Sequence, residues 1–135
     1  MKNLILAFTC LIIASLCCAQ TNIYEDFDSY KAGEYLGTES NGIWTTWTNA
    51  TGSPEDTYVT DLLSYSGENS INLQSGGVVD VVLPLGNENS GSWTLKFKMF
   101  VEESYGAYFN LLHYFSAAAS NWASQFYFNS GGNGF

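Results

Sequence analysis

The chain alternates apolar and polar residues in short runs, and the longest alternation lies in residues 91–115. Over residues 93–101 every second side chain is apolar, a period that is typical of a half-buried strand. Residues 103–106 have the composition of a turn. Residues 107–115 alternate again, but aromatic side chains lie on both of their faces. The pattern predicts two paired strands, the second with a face that core packing does not fully explain.

Similar but shorter runs of β-branched and aromatic residues recur about every ten residues, with Gly, Asn and Ser between them. No stretch has the spacing of an amphipathic helix of useful length. These features predict an all-β fold built as an antiparallel sandwich or barrel. The further strands are predicted at residues 23–28, 43–48, 58–60, 62–65, 70–74, 78–85 and 122–128.

The first 19 residues are predicted to be a secretory signal peptide and not part of the fold. Lys2 gives a positive start, residues 4–16 are apolar, and Cys-Cys-Ala at residues 17–19 provides a cleavage site. A lipoprotein signal at one of these cysteines is the alternative, but it lacks the small preceding residue that such signals use. Cleavage near Ala19 is therefore preferred, and the mature protein is expected outside the cell or on its surface.

Removing this segment changes both the cysteine content and the charge. All three cysteines lie within it, so the remaining 116 of the 135 residues must form one domain without disulfides. Three lysines then face 13 carboxylates, a formal charge of −10. This charge disfavours nucleic acid and anionic membranes as partners, and no membrane insertion is expected after cleavage.

The composition of residues 129–134 is that of a hairpin turn, and Phe135 is placed to begin another strand. We therefore expect residues 20–135 to be the N-terminal part of a longer β-sandwich domain that is incomplete at its C-terminus.

Three further segments carry a resemblance to a known family: EDFDSYKAGEYLG at residues 25–37, GIWTTW at 42–47 and YSGENSINL at 65–73. Together with residues 91–115, they resemble the concanavalin A-like lectin/glucanase superfamily, which includes the laminin G-like domains. The chain also resembles secreted proteins of Gram-negative bacteria in which such a domain precedes a C-terminal sorting domain. The resemblance implies a jelly-roll sandwich and carbohydrate binding or, in some members, glycoside hydrolysis.

Few residues have the arrangement that catalysis needs. Asp26 and Asp28 are two residues apart and would share a strand face, as a glycosidase pair can. The chain lacks the Glu-x-Asp-x-x-Glu arrangement of the superfamily's hydrolases, so a solvated strand start or a weak calcium site at these aspartates is preferred. His113, the only histidine, is predicted to lie in the core. No catalytic residue is assigned, the sequence favours a protein that is not an enzyme, and no cofactor is expected, with calcium left open.

Aromatic residues are the remaining signal, because four tryptophans and nine tyrosines exceed what a small core needs. Sugar-binding sites use flat aromatic faces with amide and carboxylate partners. If the strands at 107–115 and 122–128 pair, five side chains form one patch: Tyr108, Asn110, Tyr114, Gln125 and Tyr127. The hypothesis is a secreted module that binds a polysaccharide or cell-surface glycan without catalysis. Part of a glycoside hydrolase or lyase, and a structural or adhesion module, are the alternatives.

Overall fold

The computed structural model describes residues 22–86, 90–116 and 118–130. The predicted signal peptide lies outside these residues. The described part contains one helical turn and six strands: α1 (Leu36–Glu39), β1 (Thr45–Thr46), β2 (Tyr58–Thr60), β3 (Ser70–Asn72), β4 (Val81–Val82), β5 (Ala107–Tyr114) and β6 (Asn121–Phe128).

The strands pair as three antiparallel two-stranded sheets, β1 with β4, β2 with β3 and β5 with β6. This result confirms the predicted all-β class and its antiparallel pairing. The jelly-roll sandwich stays a prediction. Among the described residues, no helix is long and apolar enough to cross a membrane.

Backbone pairing around β2 builds the most deeply buried part of the described residues. The Leu36 N–H donates to the Thr57 carbonyl at 2.8 Å, and the Val59 N–H donates to the Glu34 carbonyl at 3.0 Å. This pairing brings Leu36 and Val59 together, and they are the buried apolar side chains of the described residues. Because so little apolar surface is fully buried, polar contacts must contribute much of the stability here.

The carboxylate of Asp56 is the centre of those polar contacts. It is 2% exposed and accepts hydrogen bonds from three backbone N–H groups. Gly37 N lies 3.1 Å from both carboxylate oxygens, Gly52 N lies 2.8 Å from Oδ2, and Thr57 N lies 2.9 Å from Oδ1. Charge-assisted bonds of this kind are stronger than neutral ones, so Asp56 joins α1, the following loop and β2.

A second carboxylate, that of Asp28, joins the N-terminal segment to the turn before β3. Its Oδ1 accepts the N–H groups of Glu68 and Asn69, both at 2.9 Å. The Asn69 amide in turn donates to the Tyr30 carbonyl at 2.9 Å. Gly67 sits beside the carboxylate with a φ of +66°, a conformation that glycine adopts without cost. Two of the segments that carry the family resemblance are thus locked together.

The third of those segments, GIWTTW, is joined to the first by Glu25. Its Oε2 accepts the Tyr30 hydroxyl at 2.6 Å and the Trp44 indole N–H at 3.2 Å. The Phe27 ring lies between these two aromatic side chains, with its centroid 6.4 Å from that of Tyr30 and 5.9 Å from that of Trp44. Burial, followed by the hydrogen bond to Glu25, raises the pKa of Tyr30.

The prediction of a strand over residues 93–101 is wrong. These residues belong to no ladder, and β5 pairs with β6 instead. Trp93 and Leu95 are each 54% exposed, whereas the Phe97 ring meets that of Phe109 edge-on at 4.8 Å. Alternation places apolar side chains on one side, but a ladder also needs a turn that sets the backbone register. The turn at residues 103–104, with Ser104 at a φ of 72°, does not set it.

Several shorter strand predictions are also wrong, because backbone N–H groups donate to nearby side-chain oxygens and not to a neighbouring strand. Residues 23–28 form no strand, since the Phe27 N–H donates to Glu25 Oε1 at 2.8 Å and Phe27 has a φ of 64°. Residues 62–65 are bends, and the Leu62 N–H donates to Thr60 Oγ1. Strands predicted at 43–48, 70–74 and 78–85 shrink to β1, β3 and β4. Leu73, in the predicted strand 70–74, lies beyond the end of β3 and is 53% exposed.

The predicted core position of His113 is also wrong, because its side chain is exposed. The ladder between β5 and β6 shifts register between Leu112 and Tyr114. His113 lies in that shift and therefore has no residue opposite it on β6. Simple alternation along the sequence does not foresee such an irregularity.

Candidate functional site

The pairing of β5 with β6 was the condition on which the predicted patch depended, and it is met. Tyr108 is the register partner of Tyr127, and Asn110 is the register partner of Gln125. Directly opposed residues of an antiparallel pair share a face, as do residues two apart on one strand. Four of the five predicted residues therefore form one group, which we call the hairpin patch: Tyr108, Asn110, Gln125 and Tyr127.

The side chains of the hairpin patch form a connected network. The two tyrosine rings have centroids 4.7 Å apart and an interplanar angle of 40°. Gln125 Oε1 accepts the Tyr108 hydroxyl at 3.2 Å and the Tyr127 hydroxyl at 2.9 Å. The pKa of Tyr108 is raised overall, mainly by burial. A hydrogen bond from the Asn110 side chain opposes this rise. Yet Tyr108 and Tyr127 are 39% and 42% exposed, so the network is open to solvent.

Tyr114 does not belong to this group. It pairs with Asn121 at the far end of the ladder and is 58% exposed. Two register shifts, one on each side of Leu112, separate it from the hairpin patch. The predicted patch of five residues is thus a group of four and a separate tyrosine.

Asp80, which directly precedes β4, is a carboxylate that the sequence did not single out as a site residue. Its carbonyl accepts the Trp47 N–H at 3.0 Å, and its N–H donates to the Glu55 carbonyl at 2.8 Å. The Trp47 ring stacks on Trp122 of β6, with centroids 5.8 Å apart, which joins the β1–β4 sheet to the hairpin. The charge of Asp80 is among the causes that raise the pKa of Tyr108.

The pKa values of the Asp80 and Glu55 carboxyl groups are shifted in opposite directions. Burial, and then the charge of Glu55, raises the pKa of Asp80. Thr48 donates to Glu55 Oε2 from its hydroxyl at 2.8 Å and from its N–H at 3.1 Å, and these bonds lower the pKa of Glu55. The only sequence signal for Asp80 was its position as the one charged residue within the apolar run 78–85.

The two aspartates considered for calcium take part in local hydrogen bonds. Asp26 Oδ1 accepts the Asp28 N–H at 3.2 Å, and Asp28 holds the turn before β3. Within the described ranges, no three His, Cys, Asp or Glu residues come together as a metal site. Calcium binding at Asp26 and Asp28 stays a prediction.

A cavity of about 550 Å³ lies at the opposite end of the hairpin from Tyr114. Its wall combines apolar side chains with two carboxylates: Met99, Val101, Tyr105 and Phe128 with Glu102 and Glu103. None of the predicted site residues lines it. Its rim includes Asn129 and Ser130, the last described residues, so we assign it no function.

Comparison with family models, curated proteins and solved structures finds no match to this chain.

The shifted pKa of Asp80 gives a testable pH dependence. Because the folded state disfavours the ionised carboxylate, Asp80 lowers stability as the pH rises from below its ordinary pKa of 3.8 through its raised value. We expect Asp80→Asn to raise the urea midpoint at neutral pH and to leave it unchanged at about pH 3, where both forms are neutral. Asp61→Asn, at an exposed position, is the control. An equal effect of both substitutions at neutral pH would contradict the prediction.

Proposed function

We propose that this protein is a secreted module that binds carbohydrate through the hairpin patch and does not catalyse a reaction. The observation that carries the proposal is the solvent-exposed pair of tyrosine rings joined by one glutamine. Aromatic faces contact the apolar C–H faces of sugar rings, and amides and hydroxyls hydrogen-bond to sugar hydroxyl groups. Secretion rests on the predicted signal peptide.

The hydrogen bonds of Gln125 support this proposal because they hold the patch in one arrangement. Its oxygen accepts both tyrosine hydroxyls, which leaves the amide N–H₂ group as a donor for a ligand. Both rings are restrained by the same contact, so binding would cost little side-chain entropy. A pair of exposed tyrosines held only by packing would lack this feature.

Titration calorimetry against plant and algal polysaccharides tests the proposal. We expect Tyr108→Ala and Tyr127→Ala each to weaken binding about tenfold, because loss of one aromatic contact removes on the order of 1 kcal/mol. Tyr24→Ala, at a position 80% exposed, should leave affinity unchanged, and Tyr114→Ala should have a smaller effect than the patch substitutions.

Two outcomes would count against carbohydrate binding at this site. One is that no polysaccharide binds the wild-type protein. The other is that Tyr108→Ala and Tyr127→Ala change the unfolding midpoint while leaving affinity intact. A glycan array offers a broader choice of ligands if the first polysaccharides give no signal.

One observation favours the alternative that the chain is part of a glycoside hydrolase. Asp80 and Glu55 interact electrostatically and have pKa values shifted apart, as an acid and a nucleophile or base would need. In that case the purified protein should release reducing sugar, and Asp80→Asn should abolish the release while leaving polysaccharide binding in place. Release that is unaffected by Asp80→Asn would exclude this pair as the catalysts.

A further inference from the structure

Tyr35, which directly precedes α1, and Tyr58, the first residue of β2, form a stacked pair of aromatic rings. Their ring centroids are 4.3 Å apart with an interplanar angle of 25°. The Tyr58 hydroxyl donates to the Tyr35 hydroxyl at 2.7 Å, and this hydrogen bond is exposed. Tyr58 is 37% exposed and Tyr35 is half-buried. The two phenol groups are therefore in direct contact at a place that a reagent in solution can reach.

The backbone holds the two tyrosines in this contact. They face each other in an antiparallel bridge, and the N–H groups that donate across it belong to the next residues, Leu36 and Val59. Tyr35 and Tyr58 are thus a non-hydrogen-bonded pair, the arrangement in which opposed side chains lie closest together. Because Leu36 and Val59 are buried, the two backbones are also fixed by packing.

From this contact we propose that Tyr35 and Tyr58 are a site of oxidative modification, where a peroxidase supplied with hydrogen peroxide joins the two rings as dityrosine. Each phenol gives up one electron and one proton, and a carbon–carbon bond forms between the ring carbons next to the two hydroxyl groups. Each of these carbons then loses its hydrogen as a proton, and each oxygen regains a proton. The protein loses two hydrogen atoms in total, and one hydrogen peroxide is reduced to two water molecules.

Two features favour this pair over more exposed tyrosines. The Tyr35 oxygen lies within the distance of about 2.6–3.2 Å that proton transfer needs, so it can accept the phenolic proton when Tyr58 is oxidised. Tyr24 and Tyr65 are 80% and 76% exposed, but in the described part of the chain neither stacks on a second tyrosine. Their radicals would have to couple between two molecules, whereas Tyr35 and Tyr58 couple within one.

The cross-link would stabilise a fold that has no disulfide. All three cysteines lie within residues 10–18, so none of the described residues is a cysteine. A bond between residues 35 and 58 closes the segment between them into a loop and restricts the unfolded chain, as a disulfide does. We expect the urea midpoint of the cross-linked protein to rise by about 1–2 M.

The experiment treats the purified protein in dilute solution with a haem peroxidase and hydrogen peroxide. We expect peptide mass spectrometry to find residues 35 and 58 joined, with the loss of two hydrogen atoms, and the dityrosine fluorescence per molecule to stay constant on dilution. Tyr35→Phe and Tyr58→Phe each keep the ring and remove the hydroxyl. Each should abolish the joined peptide, most of the fluorescence and the rise in midpoint. Urea unfolding before treatment verifies that both variants fold, and Tyr24→Phe, the control, should behave as the wild type.

Three outcomes would contradict the inference. Fluorescence that falls on dilution and is lost in Tyr24→Phe would assign the coupling to exposed tyrosines of separate molecules. A link between Tyr108 and Tyr127 in equal yield would show that ring proximity alone decides the site, because both of those hydroxyls donate to Gln125. A joined peptide without a higher urea midpoint would overturn the stabilising role. The inference is independent of carbohydrate binding, so none of these outcomes bears on the proposed function.

Discussion

Replacing Asp56 with alanine is expected to lower the free energy of unfolding by about 3–6 kcal/mol, because it removes the acceptor of three backbone N–H groups, those of Gly37 and Thr57 in buried bonds and that of Gly52 in a part-buried one. Each backbone donor left unsatisfied costs about 1–3 kcal/mol. Single domains are commonly stable by only about 5–15 kcal/mol, so this one substitution would remove a large share of the total stability. Urea unfolding followed by tryptophan fluorescence measures the loss.

Two variants distinguish this role from a general effect of charge. Asp61→Ala removes the same charge at an exposed position and should change stability by about 0.5 kcal/mol or less. Asp56→Asn keeps one acceptor oxygen and should cost less than alanine but more than the control. An Asp56→Ala protein with the wild-type urea midpoint would show that the carboxylate does not hold this part of the fold together.

Gly67→Ala is expected to have the second largest effect, a destabilisation of about 2–4 kcal/mol. The added Cβ would lie 1.8 Å from Oδ2 of Asp28, so this carboxylate would have to move. Movement would break its bonds to the N–H groups of Glu68 and Asn69. The φ of +66° adds the cost of placing a Cβ in the left-handed region. Thermal or urea unfolding reports the sum.

The cost of the left-handed backbone and the cost of the contact between the added Cβ and Asp28 can be measured separately. Gly77 has a similar φ of +72° with open space around it, so Gly77→Ala carries the backbone cost alone, about 1–2 kcal/mol. In an Asp28→Ala background, Gly67→Ala should also cost only that amount, since the carboxylate is already gone. If Gly67→Ala and Gly77→Ala proved equally destabilising in the wild-type background, the contact between Asp28 and Gly67 would have no energetic role.

The sequence predicted those parts of the fold that depend on local pattern. β2 and β6 appear where alternation placed them, and β5 has nearly the predicted bounds. The strand at residues 93–101 had an equally clear pattern and is absent from the ladders. The difference is that a strand needs a backbone partner in register, and that partner is set by turn geometry and tertiary contacts that alternation does not contain.

The candidate site likewise contains residues that the sequence could group and residues that it could not. Tyr108, Asn110, Gln125 and Tyr127 could be grouped from the sequence because two paired strands fix which residues oppose each other. The link between Asp80 and the hairpin could not be predicted, since it runs through a backbone hydrogen bond to Trp47 and the stacking of Trp47 on Trp122. Nothing in the sequence distinguishes Asp56 from the other loop carboxylates. Its role comes from three N–H groups that the chain brings together only when folded.

Asp56 stabilises the fold, whereas the hairpin patch is the candidate binding site, and this separation has a practical consequence for protein engineering. The hydrogen-bonded carboxylates that join segments of residues 25–72 are those of Glu25, Asp28 and Asp56. The opposed pairs Tyr108–Tyr127 and Asn110–Gln125 lie on a separate two-stranded ladder. Both tyrosine rings are only partly exposed and Asn110 is half-buried, so varying these four positions should lose the ring contact, worth about 0.5–1.5 kcal/mol, but leave the carboxylate contacts of residues 25–72 in place. A library randomised at these two cross-strand pairs would therefore sample new ligand specificities on an unchanged scaffold.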